Sequence, residues 1–235
     1  SVVATPLNAL KKEWTRLEPE KLRPVLENGT IELPMLAELD CSSIKFGHRA
    51  WSLIEKKVPT LIDMLKGNSE LVEVLYTDRY VRSPLALFLL YQFLNTLQDY
   101  PMGISATTKV SIETSELDTR NDRIPRNIQH DWKDAYDRKH VVNALFASYK
   151  NFSWYEDAAR NLSHARELTL RWANGSEWVI RMDQGFGYWM PSSQTAFSFD
   201  ASALNQAEKL KKMNFMLEGA SSYHSTYWYF VNKTF

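Results

Sequence analysis

The chain has 235 residues, 28 basic and 28 acidic side chains, zero formal net charge and a hydrophobic fraction of 44 %, which suits one large packed domain or two small ones. Charge balance excludes a strongly basic nucleic-acid binder and leaves room only for a local basic patch. A single cysteine, Cys41, excludes a disulfide framework and a cysteine metal site and points to a reducing, cytoplasmic setting.

No apolar run reaches the length of a membrane span, no signal-peptide pattern opens the chain, and the missing initial Met is what a piece of a longer chain would show. Pro6–Leu17 reads as a short helix followed by a loop. Ile31–Leu39, broken by Pro34, reads as a strand or a helix start. Ile44–Gly47 reads as a turn. Arg49–Leu65 has helical spacing, with Pro59 starting a second helix or kinking the first, and Lys66-Gly67-Asn68 stops it. Leu71–Tyr76 is a buried strand. Ser83 then caps a helix with Pro84 in its first turn, apolar nearly all round through Leu97 and so expected to be buried.

Gly103–Thr114 is the next strand candidate, Ser115–Asn127 is polar and loop-like, and Asp131–Tyr149 is an amphipathic helix. Leu168, Leu170 and Trp172 alternate with polar residues, Asn174-Gly175 follows, and Trp178, Ile180 and Met182 alternate again, which is a hairpin around a tight turn. Thr195–Asp200 reads as a short strand, Ala201–Asn214 as a helix, and the aromatic-rich Tyr223–Val231 as a last strand with about half its rings in the core. The succession predicts an α/β fold, a mixed β-sheet flanked by helices. Residues 1–70 read as a helical N-terminal extension packed on a main domain of residues 71–235.

The open ends of the hairpin place His164, Arg166, Asp183 and Gln184 near one another. His164 and Arg166 are two apart and hold a phosphodiester, the planar guanidinium binding phosphate bidentately, or else form a packed histidine beside a surface arginine. Asp78, Arg79 and Arg82 lie between a strand end and a helix start, where α/β sheets collect anions; Asp78 reads as fixing the turn, while Arg79 and Arg82 stay open. Asp183-Gln184-Gly185-Phe186-Gly187 either lets a ligand come close or makes a tight corner over packed aromatics. His130 and His140 stand too far apart to share a helical face, so no metal and no cofactor are expected.

Two stretches carry a family resemblance. Leu71–Leu97, with its Asp78-Arg79-Tyr80 turn, resembles the strand-plus-helix opening of phospholipase D-like domains, and His164-Ala165-Arg166 followed by a hairpin and Asp183-Gln184-Gly185 resembles their closing half. The chain is similar to the degenerate module at the C-terminus of microtubule-interacting-and-trafficking-domain proteins and to C-terminal regions of bacterial phage-defence helicases. Active members have His-x-Lys and a later acid; here Arg166 stands for the lysine and Arg171 for the acid. The resemblance implies a non-catalytic module in a bacterial antiviral defence or nucleic-acid-processing system. Arg79, Arg82, His164, Arg166, Asp183 and Gln184 would recognise the phosphate backbone of DNA or RNA. Two alternatives stand beside it: a metal-independent phosphodiesterase or nuclease acting as a dimer through a catalytic His164, and a protein-interaction module of a larger assembly with a helicase core as partner.

Overall fold

Side-chain alternation builds a mixed seven-stranded sheet in this computed structural model, which describes residues 29–35, 39–81, 83–117, 132, 135–191, 203–214, 216–219 and 226–233. The elements are β1 Ile31–Met35, α1 Phe46–Lys57, α2 Pro59–Lys66, β2 Leu71–Thr77, α3 Pro84–Thr96, β3 Lys109–Ser115, α4 Ala135–Leu145, β4 Phe152–Asp157, β5 Arg166–Trp172, β6 Glu177–Met182, β7 Trp189–Pro191, α5 Ala203–Lys212, β8 Leu217–Gly219 and β9 Thr226–Asn232. The sheet order is β1-β9-β6-β5-β2-β3-β4. β2, β3 and β4 run parallel, and every other neighbouring pair is antiparallel. β7 and β8 form a separate antiparallel pair.

The expected α/β class with a mixed sheet is what the chain adopts. Val74 and Tyr76 on β2, Leu168 and Leu170 on β5, Ile180 and Met182 on β6, and Trp228 and Phe230 on β9 all face one core. α3 lies at the centre of the helical layer, touched by α1, α4 and α5. Its sequence explains the position, because nearly every side chain is apolar. Ser83 caps it by accepting the Ala86 N–H at 3.1 Å, and Trp51 of α1 donates its indole N–H to the Phe93 carbonyl at 2.9 Å. Pro59 starts a second helix, α2, immediately after α1.

Ile31–Phe235 forms one compact unit by its contacts, counted apart from Ser1–Thr30. Residues 31–70, assigned from the sequence to the N-terminal extension, supply β1, α1 and α2 to this same unit. β1 is a strand in spite of Pro34 because it sits at the sheet edge, where a missing N–H is tolerated.

Several expected boundaries differ. The strand expected over Gly103–Thr114 begins only at Lys109. Before it, Thr108 Oγ1 donates to the Leu71 carbonyl at 2.8 Å and accepts the Ser105 N–H at 2.9 Å, a local side-chain network that competes with strand pairing. The helix expected over Asp131–Tyr149 spans Ala135–Leu145. β4 is an additional strand in the stretch before the hairpin. The hairpin turn holds three residues rather than two: Gly175 N–H bonds the Trp172 carbonyl, and Trp172 N–H bonds the Ser176 carbonyl, both at 3.0 Å. Gly175 then takes φ +84°, the left-handed position that three-residue hairpin loops require. The helix expected at Pro6–Leu17 and the strand at Thr195–Asp200 lie outside the described residues.

Candidate functional site

β2 ends at Thr77, and the chain turns sharply through Asp78, Arg79 and Tyr80. Asp78 fixes that turn by accepting the Tyr80 N–H at 2.7 Å on Oδ1. Its other oxygen accepts the Tyr76 hydroxyl at 2.8 Å. Tyr76 and Asp78 are two apart and so project to the same side of the sheet. Burial first, and then the Asp78 charge, push the Tyr76 phenol well above its ordinary pKa, so it remains a donor throughout the working pH range.

β5 starts beside this turn, since Thr77 of β2 pairs with Glu167. Arg166, the first residue of β5, points at Asp78 with Nε to Oδ1 at 3.5 Å. Its Nη1 donates to the Asp183 carbonyl at 2.5 Å, and its guanidinium carbon lies 4.6 Å from the centroid of the Tyr80 ring. Asp78 is only 2 % exposed, so Arg166 neutralises a carboxylate that water scarcely reaches. Gly185 completes the arrangement. It holds φ +60°, and a Cβ there would stand 2.8 Å from both Arg166 Cδ and Asp78 Oδ2. Only a residue without a side chain lets the bend close over this ion pair.

Arg79 turns the other way. Its Nη1 lies 2.6 Å from His164 Nε2. A guanidinium can only donate, so Nε2 is the acceptor and the ring proton sits on Nδ1. Arg79 is buried and its Nε has no acceptor among the described residues, whereas His164 is exposed. Ser115, ending β3, donates to the Arg79 carbonyl at 2.5 Å.

The two stretches meet: Asp78 with Arg166, and Arg79 with His164. Asp183 joins them through its carbonyl, while its carboxylate accepts from Thr226 of β9. Gln184 opens a one-turn helix, Gly185–Tyr188, and makes no side-chain hydrogen bond among the described residues. Arg82 lies outside the described residues. Phe186, under the bend, is buried with ring centroids 5.7 Å from Tyr76, 5.5 Å from Phe93 and 5.6 Å from Trp228. The bend is thus a tight corner over packed aromatics.

Tyr76 and Ser115 were not singled out from the sequence, and Tyr80 entered only as the last residue of the Asp78-Arg79-Tyr80 turn. The period of two linking Tyr76 to Asp78 is the signal that would have found the first. Tyr80 and Ser115 owe their roles to tertiary contacts that leave no local trace. Arg171, which stands where an active phospholipase D-like motif has its acid, pairs with Glu73 and, at 2.6 Å, with Glu177. Among the described residues no three His, Cys, Asp or Glu side chains converge as metal ligands do, and no helix is long and apolar enough to cross a membrane.

Comparison with protein families places this geometry. Residues 29–232 match the family described as DEAD/DEAH box helicase YjiV, C-terminal domain. The chain belongs to that family. The match spans the whole seven-stranded sheet, so the corner at Asp78 and Arg166 is part of a helicase C-terminal domain. A search of curated proteins found no match.

Proposed function

We propose that this helicase C-terminal domain is a non-catalytic, phospholipase D-like module that holds the phosphate backbone of a nucleic acid against the corner formed by Arg79 and His164, within a bacterial defence or nucleic-acid-processing system. The observation that carries the reading is the Arg79–His164 contact at the carboxyl end of β2. It sets the Arg79 cation beside an exposed imidazole. Such a pair offers an anion charge and hydrogen-bond donors together. Arg166 acts differently from the expectation for a free phosphate fork: Asp78 and the Asp183 carbonyl occupy its guanidinium, so it positions the turn that presents Arg79.

Binding is favoured over hydrolysis because the His164 Nε2 lone pair, which a nucleophile would use, already accepts from Arg79. The acid of an active motif is replaced by an arginine engaged with two glutamates.

Fluorescence anisotropy with labelled single-stranded DNA and RNA tests this. Binding is expected to weaken with salt and to be sequence-independent. Arg79→Gln should weaken it several-fold for every sequence and reduce the salt slope by about 1. Absence of binding at low salt would end the reading. Metal-independent cleavage lost in His164→Ala would replace it with the phosphodiesterase alternative.

A further inference from the structure

The two outer edges of the sheet are built differently. β1 carries Pro34, which has no N–H to offer a further strand. β4 has no proline, and its only strand partner among the described residues is β3. The Asn151 carbonyl accepts the Val110 N–H, and the Asp157 carbonyl accepts the Glu116 N–H, both at 2.9 Å. Amides alternate in direction along a parallel ladder. Asn151, Ser153, Tyr155 and Asp157 therefore bond inward to β3, and Phe152, Trp154 and Glu156 aim their N–H and C=O groups outward. No described residue bonds to those outward groups. Native sheets commonly blunt such an edge with proline, a bulge or central charge. The centre of β4 is instead Ser153-Trp154-Tyr155.

The edge is also rigid. Trp154 donates its indole N–H to Glu156 at 2.6 Å, and Arg138 of α4, itself only 1 % exposed, pairs with Glu156 at 2.9 Å. Phe152 stacks on Phe146 with ring centroids 4.4 Å apart. Beside the edge, an open cavity of about 380 Å³ lined by Tyr136, Lys139, Trp154 and Glu156 leaves room on the helical side for an approaching chain.

The geometry points to a self-complementary docking edge: β4 pairs antiparallel with β4 of a second copy of this chain, centred on Trp154, joining two seven-stranded sheets into one. Antiparallel partners exchange hydrogen bonds only where outward residues oppose each other. Centring on Trp154 meets that condition throughout, because Trp154 faces Trp154 and Phe152 faces Glu156 in both directions. The charges agree as well. Lys150 precedes the strand and Glu156-Asp157 ends it, so antiparallel self-pairing sets each Lys150 diagonal to Glu156 of the other copy and each Asn151 opposite Asp157. An unrelated strand would gain the backbone bonds without these side-chain matches. This inference does not rest on the proposed nucleic-acid binding, which uses Arg79 and His164 rather than β4.

Sedimentation velocity on the 235-residue chain, over a concentration series, is the test, read together with amide hydrogen exchange. A reversible dimer is expected, with the Phe152, Trp154 and Glu156 amides exchanging at least about tenfold more slowly in the dimer. Lys150→Glu replaces two attractions with repulsions and should raise the dimer Kd about tenfold, while Lys150→Arg leaves it within about twofold. Trp154→Pro removes an outward N–H without touching the ladder to β3 and should give a monomer with native far-UV circular dichroism and a cooperative unfolding transition. If that variant fails to fold, Lys150→Glu decides. A chain that stays monomeric at high concentration overturns the proposal and leaves a strand of the helicase core as the occupant. A dimer indifferent to Lys150→Glu, whose outward β4 amides exchange freely, overturns it equally.

Discussion

Two glycines with left-handed backbones separate conformational strain from steric exclusion. Gly175 has φ +84° and open space where a Cβ would go, whereas Gly185 has φ +60° and the Asp78–Arg166 pair in that space. Gly175→Ala should cost about 1 kcal/mol of stability, and Gly185→Ala about 2–4 kcal/mol, because only the second must also part a buried ion pair. Urea denaturation of the two variants measures the difference. Glu73 carries a second residue-level prediction. The hydrogen bond from Lys109 holds its carboxyl below the ordinary value; burial opposes this and Arg171 reinforces it. The unfolded chain therefore binds a proton at Glu73 before the folded one does. Its contribution is complete above the unfolded carboxylate pKa and is lost as pH falls through the lower folded value. Glu73→Gln should flatten the acid limb of a stability–pH curve in that window. At this scale the sequence was informative where chemistry is local: Asp78 reads as a turn-fixing residue and is one. Tyr80 stacking on Arg166 was illegible, because the two residues are brought together only by pairing of β2 with β5.

Among the elements, the β5–β6 hairpin was readable because β5 buries every second residue, β6 buries the matching set with Val179 besides, and a turn signal lies between them. β4 was not. Its sequence Phe-Ser-Trp-Tyr-Glu-Asp lacks clean alternation, and as an edge strand it keeps one strand neighbour among the described residues, so no side of it is strongly apolar. What secures it is tertiary: Arg138 donates to the Ser115 carbonyl at 3.0 Å and pairs with Glu156, tying α4 to β3 and β4 at once. Burial lowers the Arg138 pKa and Glu156 counters that effect. Arg138→Leu should destabilise by about 3 kcal/mol, since it leaves Glu156 without its cation and the Ser115 carbonyl without its donor. Adding Glu156→Gln should recover part of that loss. A double-mutant cycle in chemical denaturation gives the coupling, expected at about 1 kcal/mol or more.

For the molecule as a whole, the sheet sorts its side chains by face. The core side is apolar and holds the helical layer around α3, whereas the alternate positions of β2, β3, β5 and β6 carry a lattice of ion pairs: Lys109 and Arg171 with Glu73, Arg171 with Glu177, and Arg181 with Glu167. The sequence predicted this class because period-two strands and one uniformly apolar helix are strong signals. Strand order was beyond it, since nothing local says that the last strand lies between the first and the sixth. That placement makes β9 an interior strand, bonded to β6 on one side and β1 on the other. Deleting 226–232 should therefore abolish near-UV circular dichroism and the cooperative unfolding transition together, rather than fraying an end.

The same placement sets a clock on biosynthesis. Ile31 must wait for Phe230, its partner in the ladder, so a ribosome translates nearly the entire domain before its first strand can be locked in. Until then β6 offers a bare apolar border to solvent, and the nascent chain depends on being shielded from its neighbours for that interval.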